Sequence, residues 1–350
     1  MRVNGCAVGS CYPLRIVPST AYFLCPDENR PYGGVRVIYR FVDTLNTVGL
    51  KAAVVHKAAE FRCTWFENST RVVSASSVHF EKGDLFVMPE WYRELVPRLA
   101  PGVPHIVFNQ NAYETFTGLN FQVGSPPNLI SSDTLGIVTV SEDNRRYLEM
   151  CFPRIRIDRI KLGIDTDLFR EAASGKSKTI AFMPRKRLKE LLQILHILGL
   201  RDSLKGWEFT QIEGLTEVQT AQALGKSAIF LGLNEREGFG LPSLEAMASG
   251  CIVVGFHGGV GLEYMRPGTS IPIPDGEITT FVSELESVLA RWGNDETLGT
   301  MARDAAELVR REYSCDSESA QVIGVFGGAL DRVRDVEPGT PSIKCDLLPS

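Results

Sequence analysis

The sequence lacks the patterns that mark secreted, metal-binding and membrane-spanning proteins. Its eight cysteines are scattered, without a CxxC pair or a cluster with the five histidines, which argues against a zinc site and a disulfide framework. No apolar run approaches the ~18 residues of a membrane-spanning helix, and the N-terminal segment has no signal-peptide design. We therefore expect a cytoplasmic protein with reduced cysteines and no metal site.

Charge of either sign is not in large excess. The formal net charge of −5 provides no overall attraction to nucleic acid or to an anionic membrane, so we predict no nucleic-acid partner. Hydrophobic residues make up 44% and charged residues 23%, as in ordinary globular proteins. With 350 residues, the chain is long enough for two domains that each bury a core.

Short apolar segments alternate with amphipathic patterns in the N-terminal half. The stretch GVRVIYRFVDTLNTVG predicts a helix, with apolar residues at helical spacing and Gly49 at its end. Ser141 is placed to cap a second helix, EDNRRYLEMCF. Such alternation is typical of a parallel sheet covered by helices. The predicted strands of this half are 20–25, 51–57, 84–90, 105–111 and 135–141.

The alternation stops at 170–178, REAASGKSK, a predicted linker, and then begins again. We predict an α/β protein with two doubly wound parallel-sheet domains, 1–170 and 176–315, and a ligand cleft between them. A helix at 316–335 is expected to pack back on the first domain, and 336–350 to form a flexible tail. The predicted strands of the second half are 178–184, WEFTQIE, SAIFLGL and 251–257.

The stretch NEREGFGLPSLEAMASG, residues 234–250, carries two carboxylates around a glycine turn. Pro242 suits the first turn of a helix and Gly250 its end, which leaves Glu237 in the loop and Glu245 about one turn into the helix. Helical side chains lean toward the N-terminus, so Glu245 points back toward the loop. Free N–H groups at this turn form an anion site between the carboxylates, which suits a nucleotide-sugar. Surface glutamates that stabilise a helix start are the alternative.

The string EGFGLPSLEAMASGCIVV closely resembles the donor-site signature of retaining GT-B glycosyltransferases, the large family-four group with an E-x7-E motif. The segments GIVTVSEDNRRYL, LGIDTDLF and GGVGLEYMRPGTSIPIPDG are similar to further parts of that family, so the resemblance extends over most of the chain. It implies the GT-B fold, with two Rossmann-like domains. It also implies metal-independent sugar transfer, with retention, from a nucleotide-sugar to a hydroxyl of a glycan, lipid or small-molecule acceptor.

The resemblance implies roles for individual residues as well. Glu237 would hydrogen-bond the hydroxyls of the donor sugar, and Glu245 those of the ribose. The resemblance implies no separate cofactor, since the nucleotide-sugar is itself a substrate. Its leaving phosphate would take up the proton of the acceptor hydroxyl. Backbone amides for the sugar and diphosphate would come from Gly238, Phe239, Gly240 and Leu241.

The family also has an arginine and a lysine that grip the diphosphate, and FMPRKRLKE occupies their place. Arg185 would be the arginine, and Lys189 is the better lysine candidate by spacing. Lys186 is its rival, because Pro184 replaces the family's usual glycine. Fixed cations there would neutralise the leaving group's charge as a metal otherwise does. A solvated basic helix start would be unfavourable beside the positive end of the helix dipole, which favours an anionic ligand.

Two N-terminal loops are expected to face the donor. In RPYGGVRVI, which resembles the family's glycine loop, Gly33 and Gly34 would let the backbone approach the donor phosphate, although a plain turn would also explain the pair. The second loop is VFNQNAYETF, where many family members have a histidine that reaches the donor sugar. Here an amide of Asn109, Gln110 or Asn111 would replace it, unless these residues only make local turn hydrogen bonds. The Q…E…F pattern is similar to some rhamnosyltransferases.

Other interpretations are less favoured. Asp165 and Asp167 are not assigned a metal, because they lie in the GIDTDLF turn, and His257 is expected to be a loop residue. No G-x-G-x-x-G follows the first strand, which argues against a nicotinamide dehydrogenase. A non-catalytic nucleotide-sugar-binding protein and a phosphorylase or epimerase of the same fold stay open.

The acceptor is not identified by the sequence. Residues 58–80 are candidates for acceptor contacts. Tyr12–Ile16 and Trp91–Tyr92 could stack on a sugar, although ordinary packing also explains them. The family resemblance leaves weak peripheral membrane association open, but no strong basic amphipathic helix supports it.

Overall fold

The computed structural model describes residues 19–120 and 129–349. Two parallel sheets lie in this part of the chain, one built from the N-terminal half and one from the C-terminal half, each covered by helices. The predicted class, an α/β protein with two doubly wound parallel-sheet domains, is confirmed. No helix of the described residues is both long enough and apolar enough to cross a membrane.

The N-terminal sheet has seven parallel strands. They are β1 (Thr20–Leu24), β2 (Lys51–His56), β3 (Val72–Ser74), β4 (Leu85–Pro89), β5 (His105–Asn109), β6 (Thr134–Thr139) and β7 (Ile157–Arg159). Their order is β3-β2-β1-β4-β5-β6-β7, so the direction of winding reverses between β1 and β4. Ligands of such sheets bind outside the carboxyl ends of the strands at that point of reversal.

The C-terminal sheet has five parallel strands. They are β8 (Ser177–Phe182), β9 (Glu208–Gln211), β10 (Ser227–Leu233), β11 (Ile252–Phe256) and β12 (Ile271–Ile273). Their order is β12-β11-β10-β8-β9, so the reversal falls between β8 and β10. The loops after β8 and β10 therefore define the crevice of this sheet. These are the loops that contain the predicted cations and the glycine turn.

The helices follow the apolar periodicity of the sequence. They are α1 (Gly33–Thr47), α2 (Val96–Leu99), α3 (Glu142–Cys151), α4 (Leu188–Leu200), α5 (Glu217–Lys226), α6 (Leu241–Ala248), α7 (Ile278–Arg291), α8 (Glu296–Glu312) and α9 (Cys315–Val333). The predicted cap is confirmed, because the Ser141 side chain accepts a hydrogen bond from the backbone N–H of Asn144 at 3.1 Å. The edge strands β3, β7 and β12 were not predicted, since three residues are too few for a periodic signal.

Helix α9 returns to the N-terminal sheet. The ring of Phe326 lies 5.0 Å from that of Phe23 on β1 and 6.1 Å from that of Phe41 on α1. All three rings are fully buried, and together they form part of the largest apolar core. The C-terminal helix is thereby held to the N-terminal sheet by apolar packing.

The chain passes between the two sheets twice, and the two passages touch. The Ile164 N–H donates to the Tyr313 carbonyl at 2.8 Å. A Cβ atom at Gly163 would lie 2.7 Å from the Cα of Cys315, so only glycine permits this approach. The buried Glu318 carboxylate accepts from the Gly163 N–H at 2.7 Å, which fixes the contact to α9.

Residues 336–349 differ from the predicted flexible tail. The side chains of Ile343 and Leu348 are buried in an apolar cluster of the N-terminal domain. The Lys344 N–H also donates to the Leu99 carbonyl at 2.9 Å. Its place at the end of the sequence suggested a flexible tail, but two apolar side chains and backbone hydrogen bonds are enough to dock the segment.

Candidate functional site

The glycine turn lies between β10 and α6, as predicted. Gly240 precedes the first residue of α6 and has a φ of 83°, a backbone conformation that favours glycine. Pro242 is in the first turn of the helix, and Gly250, with a φ of 76°, follows its end. No side chain caps α6, and its first turn has no acidic residue. Pro242 has no N–H, and that of Ser243 donates to the Gly240 carbonyl at 3.2 Å, so among the first three residues of α6 the Leu241 N–H is the one left for an anion.

Two aromatic side chains, Phe239 and Tyr264, hold the turn in place. The Phe239 ring is buried and meets Tyr313 edge to face, with 5.9 Å between ring centres. The Tyr264 hydroxyl donates to the Gly240 carbonyl at 3.2 Å. Burial raises the pKa of Tyr264, so this hydroxyl stays protonated as a donor. The turn is thus fixed by packing, and its backbone is the part left for a ligand.

Glu237 meets a cation from the neighbouring loop. Its Oε1 lies 2.9 Å from the Nζ of Lys186, which follows β8 at the reversal point of the sheet. Lys189, the candidate that spacing favoured, is exposed on the first turn of α4. The chain takes a left-handed conformation at Arg187, with a φ of 49°, and α4 begins immediately afterwards. The structure therefore favours Lys186 as the lysine near Glu237.

Arg185 lies against the other domain. The carbon at the centre of its guanidinium is 5.0 Å from the centre of the Tyr32 ring, and Tyr32 immediately precedes α1. Cations at this distance from an aromatic face are attracted to it. The next arginine, Arg187, has a different task, because its Nε donates to the Asn234 carbonyl at 2.8 Å and so ties the two loops together. Arg185 and Lys186 are thus two cations that the loop after β8 presents at the cleft.

Glu245 is held by an arginine of the N-terminal domain. It is 5% exposed, and its Oε1 accepts from the Nη2 of Arg36 at 2.6 Å. The Nη1 of Arg36 pairs with Glu217, the first residue of α5. Burial opposes the charge of Arg36, but the two carboxylates outweigh it and raise the pKa of the guanidinium. Sequence reasoning missed Arg36 and Glu217; the T-x-x-Q capping box at 216–219 could have located the start of α5.

The two domains touch at the glycine turn. A Cβ atom at Gly238 would lie 1.6 Å from the carbonyl oxygen of Gln110, so the backbones of the two loops are in direct contact. The Gln110 side chain donates from Nε2 to the Gly34 carbonyl at 3.0 Å. A Cβ atom at Gly33 would lie 2.9 Å from the Cδ1 of Leu241. The starts of α1 and α6 therefore converge.

Helix α1 resembles α6 at its N-terminus. No side chain caps it, and its first turn has no acidic residue. Two helix N-termini with free N–H groups, together with Arg185 and Lys186, place partial and full positive charges around one position in the cleft. This arrangement suits a ligand with a compact, multiply charged anionic group.

The Asn109 side chain is buried and does not face the cleft. It is 2% exposed, and its Nδ2 donates to Thr115 Oγ1 at 2.9 Å. Side chains alternate along a strand, so the face of β5 that buries Asn109 turns Gln110 toward α1. Asn111 begins the next turn, where its Oδ1 accepts from the Tyr113 N–H at 3.2 Å. Of the three amides, only Gln110 contacts the glycine loops, so the prediction of a donor contact from Asn109 needs correction.

A buried carboxyl supports the same loop. The Oε1 of Glu90, which follows β4, accepts from the Asn111 N–H at 2.9 Å. Burial raises the pKa of Glu90 to about 7, although backbone N–H groups, including that of Gln110, oppose the shift. This residue too was missed from the sequence. It lies at the reversal point of the N-terminal sheet, which is where such a group is to be sought.

The remaining candidates have local structural roles. The Oδ1 of Asp165 accepts from the backbone N–H of Asp167 at 3.0 Å, which closes a turn. His257 Nδ1 accepts from the Gly259 N–H at 3.1 Å in the loop after β11. Among residues 19–120 and 129–349, no three His, Cys, Asp or Glu side chains are grouped to hold a metal.

The acceptor candidates differ in exposure. Trp91 is 61% exposed and can offer its ring to a ligand, whereas Tyr92 is buried in the core. Tyr12–Ile16 lie outside the described residues. Within 58–80, Cys63 and Phe66 are buried, so only part of that segment faces solvent.

A large cavity among the described residues lies elsewhere, between the linker and α8. It measures about 1150 Å³, and its lining includes Arg170, Glu171, Lys176, Trp292 and Arg310. Several of its charges are already used, since Lys176 donates to the Ser249 carbonyl at 2.6 Å and Arg310 pairs with Glu307. The domain cleft is narrow because its two walls touch. The candidate site is therefore better located by the side chains and N–H groups that converge there than by cavity volume.

Known proteins of the same architecture superpose on the chain. Sucrose-phosphate synthase from Thermosynechococcus elongatus matches with a TM-score of 0.68 at 12% identity, covering 90% of this chain and 100% of that one. Anabaena HepE, solved in complex with UDP-glucose, matches with a TM-score of 0.63 at 13% identity, covering 88% and 99%. TarM matches with a TM-score of 0.66 at 9% identity, covering 90% and 99%. The fold is therefore of the GT-B glycosyltransferase type.

Sequence comparison also finds similarity to a glycosyltransferase. The chain is 27% identical over 315 residues to an alpha-1,6-glucosyltransferase of Actinobacillus pleuropneumoniae serotype 7 (strain AP76). The alignment covers 87% of this chain and 93% of that protein. No protein-family model matches the chain.

Proposed function

We propose that the chain is a retaining glycosyltransferase that transfers a hexose from a nucleotide-sugar to a hydroxyl of a glycan, lipid-linked or small-molecule acceptor. The observation that carries this proposal is that the two sheets reverse their strand order at neighbouring positions, so that their crevices face each other. There the turn at Gly238 contacts Gln110, and Gln110 contacts Gly34. A ligand that lies against these loops would be held by both domains.

The diphosphate of the donor would occupy the position between α1 and α6. The N–H groups at the starts of both helices, together with Arg185 and Lys186, would stabilise its charge in the ground state. They would stabilise it more strongly as the glycosidic bond breaks. Because these groups supply the positive charge, we propose that transfer needs no metal.

Glu237 and Glu245 would bind the two ends of the donor. Glu237 would accept hydrogen bonds from the sugar hydroxyls, and Glu245 from the ribose, which is the arrangement that the E-x7-E resemblance implies. Glycosidases instead place two carboxyl groups about 5–10 Å apart across one bond. In the proposed mechanism neither carboxylate transfers a proton. A phosphate oxygen of the leaving group accepts the acceptor's proton on the face from which it departs, so configuration is retained.

The donor to test first is UDP-glucose. The relative from Actinobacillus is named a glucosyltransferase, and the HepE structure contains UDP-glucose. The Q…E…F pattern in 107–116 supports a deoxyhexose donor, dTDP-rhamnose, as the alternative.

The test begins with thermal unfolding of the purified chain in the presence of UDP-, GDP-, ADP- and dTDP-sugars, since a bound ligand stabilises the folded state. With the stabilising donor, release of nucleoside diphosphate is measured with and without a panel of simple glycosides, with EDTA added to one arm. Acceptor-dependent release, unaffected by EDTA, and a product with the donor's anomeric configuration by NMR are expected. Binding without turnover would indicate a non-catalytic binding protein, and acceptor-independent conversion an epimerase or phosphorylase.

A further inference from the structure

Arg36 joins the two domains through a pair of carboxylates. It lies in the first turn of α1, beside Gly34, and only 11% of its side chain is exposed. Its Nη2 contacts Glu245 at 2.6 Å, while Nη1 contacts Glu217. One planar guanidinium therefore fixes two carboxylates of the C-terminal domain from the opposite side of the cleft.

The pairing determines what Glu245 can do. Arg36 donates to Oε1 of Glu245 at 2.6 Å, and this contact fixes the orientation of the carboxylate. The contact uses Oε1 of Glu245, which leaves Oε2 as an acceptor for a ligand hydroxyl.

Glu217 explains why the cation is an arginine. Lysine would present one ammonium group, whereas the guanidinium fork can donate to two carboxylates in fixed directions. Glu217 is the first residue of α5, where the helix dipole favours a negative charge. With one Nη on Glu217, the other Nη is held in place for Glu245.

We propose that Arg36 is a positioning residue of the donor site: from across the cleft, with Glu217 as its second anchor, it orients Glu245 to accept hydrogen bonds from the ribose hydroxyls of a nucleoside diphosphate. The inference rests on the proposed function, because it assumes that the nucleotide of the donor lies at Glu245. It adds that ribose recognition requires a side chain of the N-terminal domain.

The test is a comparison of UDP with 2′-deoxy-UDP by titration calorimetry. The wild-type chain is expected to prefer UDP by about tenfold or more, because one hydrogen bond to a charged group is lost with the hydroxyl. Arg36→Met is expected to bind UDP more weakly and to bring the ratio of the two dissociation constants to within about twofold of one. Arg36→Lys and Glu217→Gln should give intermediate ratios, since each removes one arm of the pairing.

Arg40 provides the matched control. It lies one turn further along α1 and pairs with the buried Glu318, away from the cleft carboxylates. Arg40→Met breaks a comparable ion pair, so we expect a lower melting temperature with the wild-type preference for UDP. Steady-state kinetics adds a second readout, in which Arg36→Lys raises the donor KM more than it lowers kcat.

The outcomes separate the inference from the function on which it rests. If the wild-type chain prefers UDP and the Arg36 and Glu217 variants keep that preference, Arg36 is not a positioning residue. Equal binding of UDP and 2′-deoxy-UDP by the wild-type chain also overturns the inference, while donor turnover leaves the proposed function standing. Absence of any binding of UDP, UDP-glucose or the other nucleotide-sugars contradicts the proposed function and the inference together.

Discussion

On the C-terminal side of the cleft, neighbouring loops of one sheet bring Arg185, Lys186 and Glu237 together around a glycine turn. On the N-terminal side, Arg36 and Gln110 come from a helix and a loop that are far apart in sequence. They act by reaching across to the other domain. The Lys186–Glu237 pair on the C-terminal wall forms within its own domain, while the contacts of Arg36 and Gln110 on the N-terminal wall have their effect only when the domains meet. Variants of the two walls should therefore fail in different ways.

The largest effect is expected where the walls touch. Gly238→Ala would place a Cβ atom 1.6 Å from the Gln110 carbonyl oxygen, so the domains would have to move apart. A displacement of about 1 Å costs about a hundredfold in rate, and we expect kcat/KM to fall by that factor or more. Gly199→Ala is the control, because no atom lies within 4 Å of the added methyl group on α4. A Gly238→Ala enzyme with wild-type kinetics would show that the contact is not needed.

The two carboxylates should differ in the kinetic constant that they change. Glu237→Gln is expected to lower kcat by about 10- to 100-fold, because it removes the charge that binds the sugar hydroxyls. Glu245→Ala is expected mainly to raise the donor KM, since the ribose is bound equally before and during transfer. Both constants are measured with UDP-glucose. Near-wild-type kinetics in both variants would contradict the assignment of this pair.

A smaller effect is expected from the cation beside Glu237. Lys186→Met should lower kcat by about tenfold, because a charge near the leaving phosphate is lost. Lys189→Met is matched in chemistry but alters an exposed side chain on α4, and it should stay within about twofold of the wild type. The reverse result would restore the candidate that spacing favoured.

The smallest effect concerns Glu90, the support of the N-terminal loop. Its pKa of about 7 in the folded chain exceeds the ordinary value of 4.5, so between those pH values the unfolded state binds fewer protons. The contribution of Glu90 to stability therefore falls as pH rises from about 4.5 to 7. Melting temperatures over this range should decline less steeply in Glu90→Gln. Glu94→Gln, a change at an exposed carboxylate, should keep the wild-type slope, and equal slopes in all three proteins would refute the expectation.

The difference between the two walls of the cleft also explains which features of the site could be predicted from the sequence. The glycine turn, the start of α6 and the place of Glu245 one turn into it depend on residues close together, and Gly240, Pro242 and Gly250 mark them locally. The alternation of strands and helices likewise predicted the α/β class. Such features follow from short-range backbone preferences.

The rest depends on contacts between distant segments. Nothing near Arg36 in the sequence indicates Glu245 or Glu217 as its partners, because the pairing exists only when α1 faces α5 and α6. The choice between Lys186 and Lys189 depended on the left-handed conformation at Arg187, which a non-glycine residue rarely adopts. Asn109 was a candidate because the resemblance puts a polar donor contact in this loop, but the register of the sheet decides which side chains of the loop face the cleft.

The contact of the two interdomain passages limits how the cleft can open. Gly163 and Cys315 are packed backbone to backbone, and the Ile164–Tyr313 hydrogen bond joins them at 2.8 Å. Sliding or separating the domains would break this contact, whereas rotation about it would not. We therefore expect this contact to be the pivot about which the domains rotate when the cleft opens. A pair of distance labels across the cleft from this pivot would report such a rotation during donor entry and product release.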